Sequence, residues 1–285
     1  PPLLVFLLAW RRGRRRLSRA KEEKIMTLRR TLLVAALTAG EAAIYVGAGG
    51  CDVSDLVCTA HAPVAPFSDQ IVMISGHDMK LTNTTTGGAP SWLQPSHDGN
   101  CLFAVQTTTS RILSYSRTDL EVLAGPISNL SSGGLYPVKL DISLSGRILY
   151  IANYGDAKNH ASVATMVIGD ACTLTLGDVM PFHRSSVDPT RQANSHIHTV
   201  VTLPHYGGQF SSLLLAADLG GDLVYTLKAS EPDGKLTLLY NVTSDPGAGP
   251  RHIACRTTLV SDRTLWAVPW TPSPPVARFR SHLLR

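Results

Sequence analysis

Four stretches of the chain share one order of apolar and polar positions. Each has an extended apolar segment, a turn with Gly or Asp, and a second extended segment closing on an aromatic or aliphatic pair. They read SWLQPSHDGNCLFAVQ, VKLDISLSGRILYIANYG, VVTLPHYGGQFSSLLLAADLG and IACRTTLVSDRTLWAVPW. Anchored on Phe103, Tyr150, Leu215 and Trp266, they recur at spacings of 47, 65 and 51 residues. Between them lie further β-rich runs joined at turn residues: SVATMVIGDACTLTLGDV at Gly169-Asp170, DLVYTLKAS after Gly220-Gly221, and EPDGKLTLLYNV at Asp233-Gly234. Long helical periodicity is absent beyond the N-terminal segment, so the chain is expected to be all-β.

A period near fifty built from short strands points to a β-propeller with one four-stranded blade per repeat. A β-sandwich would run to roughly 100 residues per domain without such a repeat. An α/β enzyme would place amphipathic helices between the strands. The 285 residues suffice for one large all-β domain, expected over 44–270. Residues 271–285, PWTPSPPVARFRSHLLR in their wider context, lack strand grammar and are expected to form an unstructured Pro- and Arg-rich tail.

The net charge of +5 changes meaning once it is located. Residues 1–30 hold ten Lys or Arg against two Glu, and the last ten residues hold three Arg and no acid, which leaves the stretch between them at −6. The basicity belongs to the ends, so the body is not expected to bind nucleic acid. The stretch before the first methionine, Met26, reads as upstream sequence outside the protein proper. From Met26, two arginines, a short apolar run from Thr31 to Ala39 and then small residues have the layout of a secretory signal peptide ending near Ala39–Ala43. Residues 1–43 are therefore expected outside the domain, with a buried strand or helix start as the competing reading of the apolar run. The run is short for a membrane span. Secretion is the expected localisation, and the cytoplasm if that segment is no signal. Three sequons agree with export: Asn83-Thr84-Thr85, Asn129-Leu130-Ser131 and Asn241-Val242-Thr243. The five cysteines, Cys51, Cys58, Cys101, Cys172 and Cys255, have no zinc-type spacing. In an oxidising compartment Cys51 and Cys58 can bridge, and the odd count leaves at least one thiol unpaired or paired elsewhere.

Candidate chemistry gathers in TRQANSHIHTVVTLP, where Arg191, His196 and His198 stand at the entrance to a β-branched run. On an extended segment the period of two sends both histidines to one face. Such a pair can bind a metal, pass protons or decorate a loop. No nearby carboxylate or cysteine set completes a metal shell, so neither metal nor other cofactor is expected.

These residues, with GRILYIANYG, LAADLGGDLVYTLKA, DGKL and PGAGPRHIA, resemble the lactonase family of seven-bladed propellers, which includes the propeller-type 6-phosphogluconolactonases and the carboxy-cis,cis-muconate lactonizing enzymes. The resemblance runs from about Ile44 to Val268. In the family an Arg-Gln pair precedes Pro-His-x-His, and Gly-Pro-Arg-His follows one blade later. The matching positions are Arg191, Gln192, His196, His198, Arg251 and His252, which the resemblance places around a central pocket with Asn153, Asp218 and Lys139. It implies that Arg191 and Arg251 hold the anionic part of a lactone and stabilise developing charge. His196 or His198 would move the proton, with the other as orienter. The expected partner is a small lactone or sugar acid, met by a monomer.

The chain departs from the family pattern in four ways. Ser195 replaces the Pro before the histidines. Pro137-Val138-Lys139 stands where Pro-x-His is usual, so Lys139 takes the place of a pocket His. Pro269 and Trp270 stand where the family has an Asn-Glu pair. Finally, the pattern stops near Val268: AAIYVG, LFAVQ, ILYIAN, LLLAAD and LWAV, read as inner strands, give about five of seven blades, as expected of a truncated or misframed gene product. Three functions compete: a lactonase or lactonizing isomerase, with export arguing against cytosolic 6-phosphogluconolactone; an extracellular binding module without catalysis; and a product without function.

Overall fold

The structure is a computed structural model. It describes residues 90–117, 123–203 and 213–254 with their side chains, the side chain of Ile71, and the backbone of further strands on either side. The strands form five antiparallel sheets in which consecutive strands are neighbours. The first holds β1 (Leu32–Leu37), β2 (Ala43–Gly49), β3 (Asp69–Ser75) and β4 (Lys80–Thr85). The second holds β5 (Pro90–Pro95), β6 (Cys101–Gln106), β7 (Arg111–Arg117) and β8 (Leu123–Ser131). The third holds β9 (Pro137–Ile142), β10 (Ile148–Asn153), β11 (Ala161–Ile168) and β12 (Leu174–Phe182). The fourth holds β13 (Ile197–Thr202), β14 (Leu213–Asp218), β15 (Leu223–Ala229) and β16 (Leu236–Thr243). The fifth holds β17 (Pro250–Cys255), β18 (Thr264–Pro269) and β19 (Ala277–Arg280). There is no α-helix among the described residues, and so no helix long and apolar enough to cross a membrane.

The first strands of successive sheets lie against one another, β5 against β9, β9 against β13 and β13 against β17. They are the innermost strands. The apolar segments taken from the sequence as inner, LFAVQ, ILYIAN and LLLAAD among them, are instead the second strand of each sheet. A second strand has a paired strand at each edge and a core against each face, so it is the most uniformly apolar and gives the strongest sequence signal. β10 shows this directly. Ile148, Tyr150 and Ala152 pack on one side with Leu214, Ala216 and Tyr225 of the fourth sheet, while Leu149 and Ile151 pack on the other with Phe103, Val105 and Ile112 of the second. Alternation along one strand thus feeds two inter-sheet cores. The outermost strands face water, and in β16 every residue after Leu236 is exposed.

Polar ties join the sheets where apolar packing ends. Thr165 Oγ1 donates to the Gly234 carbonyl at 2.8 Å, and Asp178 Oδ2 accepts from the Leu236 N–H at 2.8 Å, so the β15–β16 turn is docked on the third sheet. Asp141 Oδ2 accepts from the Thr202 N–H at 2.6 Å, joining β9 to β13. A disulfide between Cys101 and Cys172 links the second and third sheets, with Cα atoms 5.6 Å apart. Cys51 and Cys58 lie outside the described residues. Strand β1 falls within the stretch read as a leader and β19 within the stretch read as a tail, so the strand framework extends past both ends of 44–270.

Candidate functional site

One irregularity recurs at the entrance of every inner strand that is described from its start with side chains. The register slips by one residue between Pro90 and Trp92 in β5, between Pro137 and Lys139 in β9, between Ile197 and Thr199 in β13, and between Pro250 and His252 in β17. The extra residues are Ser91, Val138, His198 and Arg251. A bulge leaves its extra residue out of the ladder, bends the strand and re-aims the side chains beside it. The entrances therefore align as Pro-Ser-Trp-Leu, Pro-Val-Lys-Leu, Ile-His-Thr-Val and Pro-Arg-His-Ile, with Leu93, Leu140, Val200 and Ile253 buried behind them. At two junctions, between the second and third sheets and between the fourth and fifth, residues of these entrances meet.

The contacts follow from that alignment. Arg251 Nε donates to His198 Nε2 at 3.0 Å. Thr199 Oγ1 donates to the Arg251 carbonyl at 2.7 Å and lies 3.4 Å from His252 Nδ1. The His198 and His252 rings meet edge to face with centroids 5.1 Å apart. Lys139 Nζ lies 5.0 Å from the centre of the Trp92 ring, a cation–π geometry. Lys139 thus occupies the register position that His252 holds in the fifth sheet.

Two tautomers can be assigned from these partners. Arg251 is a donor only, so His198 Nε2 accepts and its proton sits on Nδ1, which is buried and meets no partner among the described residues. His196 Nδ1 lies 3.0 Å from the Tyr154 carbonyl, an acceptor only, so His196 Nδ1 donates, and in the neutral ring Nε2 carries the lone pair. The His196 ring also stacks on the Tyr154 ring with centroids 4.1 Å apart, while His198 meets the same ring edge-on at 6.1 Å. Both histidines of the pair meet the Tyr154 ring, although His196 precedes β13 and His198 is its bulged residue.

The electrostatics reflect burial beside cations. Burial first, then the Arg251 charge, with His252 and Lys139 adding, pushes His198 down to about 3. Burial, Arg251 and Lys139 push His252 down to about 4. Both rings are neutral at pH 7. Burial also raises the Tyr154 phenol, while Arg251 and Arg191 oppose that shift. Arg191 is exposed, and its charge reaches the cluster from the rim.

The loop 188–196 is held rigidly against the β14–β15 turn. Gln192 Nε2 donates to the Leu219 carbonyl at 2.9 Å and to Asp222 Oδ1 at 2.7 Å, and its oxygen accepts from the Asp188 N–H. Asp218 Oδ1 accepts from the backbone N–H groups of His196, Gly220 and Gly221 at 2.7, 3.1 and 3.0 Å. Burial raises the Asp218 carboxyl against the pull of those donors. A Cβ on Gly220 would lie 1.7 Å from the Asn194 carbonyl oxygen, so only glycine permits this approach. Ser195 Oγ accepts from the Arg184 N–H at 2.8 Å, so the hydroxyl supplies a tie that proline there would lack.

Six of the nine residues singled out in the sequence, His196, His198, Arg251, His252, Lys139 and Arg191, gather in or beside this cluster. The other three make buried hydrogen bonds of their own. Gln192 and Asp218 are spent on the loop and turn, and buried Asn153 donates to the Ser132 carbonyl and Ser162 Oγ at 3.1 and 3.0 Å. Gln192 and Asp218 thereby serve backbone groups that have no strand partner. Tyr154, Thr199 and Trp92 belong to the site and were missed. The tetrapeptide ANYG contained Tyr154, and the aligned entrances would have exposed the other two. Pro269 pairs with Pro250, and Trp270 lies outside the described residues. Among the described residues no three His, Cys, Asp or Glu side chains converge as metal ligands.

Residues 71–268, well over half of the chain, match the family model described as lactonase, 7-bladed beta-propeller. The chain belongs to this lactonase family. A curated family relative, the probable 6-phosphogluconolactonase of Arthroderma benhamiae, is 33% identical over 176 residues, covering 60% of this chain and 41% of that protein. A putative 6-phosphogluconolactonase from Bacteroides fragilis superposes with a TM-score of 0.56 at 20% identity, covering 87% of this chain and 65% of that one. The periplasmic gluconolactonase of Pseudomonas aeruginosa gives 0.57 at 22% identity, covering 88% and 67%. At such identities the two structures speak for the fold. The match thus spans about two fifths of the curated lactonase relative and about two thirds of the solved ones.

Proposed function

We propose that the protein hydrolyses a lactone bearing a carboxylate or phosphate, with a sugar-acid lactone as the preferred class. The observation that carries this is the Arg251–His198 hydrogen bond set beside His252 and Lys139 on adjoining bulged entrances. Arg251 and Lys139 supply fixed positive charge for the anionic group, with Arg191 at the rim. His198 spends its lone pair on the Arg251 Nε–H, so it orients the guanidinium and is unsuited to be the base. His196 Nε2 has the free lone pair, and the Tyr154 carbonyl fixes its tautomer, so His196 is assigned as the base that activates water on the lactone carbonyl. The cations then stabilise the oxyanion formed as the ring opens. Hydrolysis in place of lactonization is supported by the names of the relatives, which are lactonases.

The test is turnover of 6-phosphogluconolactone, gluconolactone and a carboxylated lactone by the full chain and by His196→Ala. Loss of the base is expected to lower kcat by about 100- to 10,000-fold with KM little changed. Equal rates for the two proteins would remove His196 from this role. Binding of the sugar acids with no turnover by either protein would favour a non-catalytic binding module, the reading that Lys139 in place of a histidine supports.

A further inference from the structure

The three sequons occupy different surroundings. Asn83 lies on β4, where the backbone alone is described. Asn129 on β8 is exposed, but its side-chain oxygen accepts from Arg111 Nε and its carbonyl from another Arg111 nitrogen. Asn241 lies on β16, the last strand of the fourth sheet, where Thr237 to Thr243 are all exposed. One edge of β16 pairs with β15, and no strand of the fourth sheet lies along the other. The surface around Asn241 is apolar: Leu238, Leu239, Tyr240 and Val242 are 43%, 39%, 56% and 41% exposed.

A long apolar strand with an open edge is a template for pairing with another chain, and folded proteins block such edges with charge, proline, bulges or a cover. Among the seven exposed residues of β16 there is no charge and no proline. We propose that Asn241 carries an N-linked oligosaccharide that covers this edge. A second observation agrees with a compartment where that modification occurs. The Cys101–Cys172 disulfide needs an oxidising compartment, and in a secretory route this is also where sequons are glycosylated.

The donor is an oligosaccharide linked to a polyprenyl pyrophosphate. Asn241 Nδ2 bonds to the anomeric carbon, the carbon–oxygen bond to the pyrophosphate breaks, and its electron pair leaves with the lipid pyrophosphate. One amide proton passes to solvent. Thr243, two residues on in the extended strand, completes the acceptor motif.

The experiment expresses the full chain behind a cleavable leader in a eukaryotic secretory host and maps glycopeptides by mass spectrometry in the fraction with Cys101 and Cys172 bonded. The peptide containing Asn241 is expected to carry glycan, and Thr243→Ala to remove it. Released from the host, the Thr243→Ala protein is expected to run on a sizing column as larger species than the unaltered chain. Enzymatic deglycosylation of the folded unaltered chain is expected to do the same, which separates loss of cover from failure to fold. An unmodified Asn241 in disulfide-bonded protein, with or without glycan at Asn83 or Asn129, overturns the proposal. Glycan at Asn241 whose removal leaves a single monomeric peak overturns its role as a cover.

Discussion

His198 and His252 are neutral in the folded protein over the whole range in which free histidine titrates. Their folded values, about 3 and about 4, lie below the ordinary 6.5 because burial and the Arg251 charge penalise the imidazolium. The unfolded chain takes up protons first as pH falls. The two rings therefore leave stability undiminished above about pH 6.5, and they lower it progressively as pH falls toward their folded values. His198→Gln is expected to weaken that acid dependence, measured as the denaturation midpoint at pH 7 and pH 4.5. An unchanged difference between the two midpoints would contradict the assignment. Arg251→Lys keeps the charge but removes the planar donor that His198 holds. A loss in kcat/KM of about tenfold or more is expected, since one charge-assisted hydrogen bond contributes about 1.5–3 kcal/mol. At this scale the types of residue were legible in TRQANSHIHTVV and PRHIA. The roles were not, because a histidine's tautomer depends on its partner, and Tyr154 and Arg251 are 42 and 53 residues from theirs.

At the scale of elements, the site is made by a bulge repeated at four strand entrances. Lys139 looked like a departure from a motif in a single segment. The register shows that it holds the same place in its sheet as His252 does in its own, and its charge reaches His252. The bulges were hidden in the sequence because an inserted residue becomes visible only against the strand it pairs with. The turn DLGG was recognised as a hairpin, but its contact with Asn194 was not. Gly220→Ala would force its Cβ into the Asn194 carbonyl, and a cost of about 3 kcal/mol or more is expected, with the loop 188–196 displaced. Urea unfolding of the two proteins measures the cost. A midpoint unchanged within error would show that the loop can retreat freely.

Across the whole molecule, stability is carried by cores between sheets, and polar ties and one covalent bond cross the same boundaries. The Cys101–Cys172 disulfide closes a loop of 71 residues between the second and third sheets. Its removal as Cys101→Ser/Cys172→Ser is expected to cost about 2–4 kcal/mol. A thermal melt with and without reductant reads this directly, since reductant should lower the midpoint of the unaltered chain by more than that of the double variant. The pairing was out of reach of spacing arguments. The nearby Cys51 and Cys58 drew attention as the local pair, whereas Cys101 and Cys172 meet because two successive sheets stack.

The sequence by itself determined the all-β class, the fifty-residue repeat, the family and most of the residues that gather at the site, because periodicity, turn chemistry and motif order are local properties of the chain. The tertiary structure alone decided which strand of each sheet is innermost and which histidine lends its lone pair to Arg251. It also showed that Gln192, Asp218 and Asn153 hold backbone in place and that Asn241 stands on an open edge. Each of these depends on which segments become neighbours, and neighbours are set by sheets packing on one another across separations that no local pattern records.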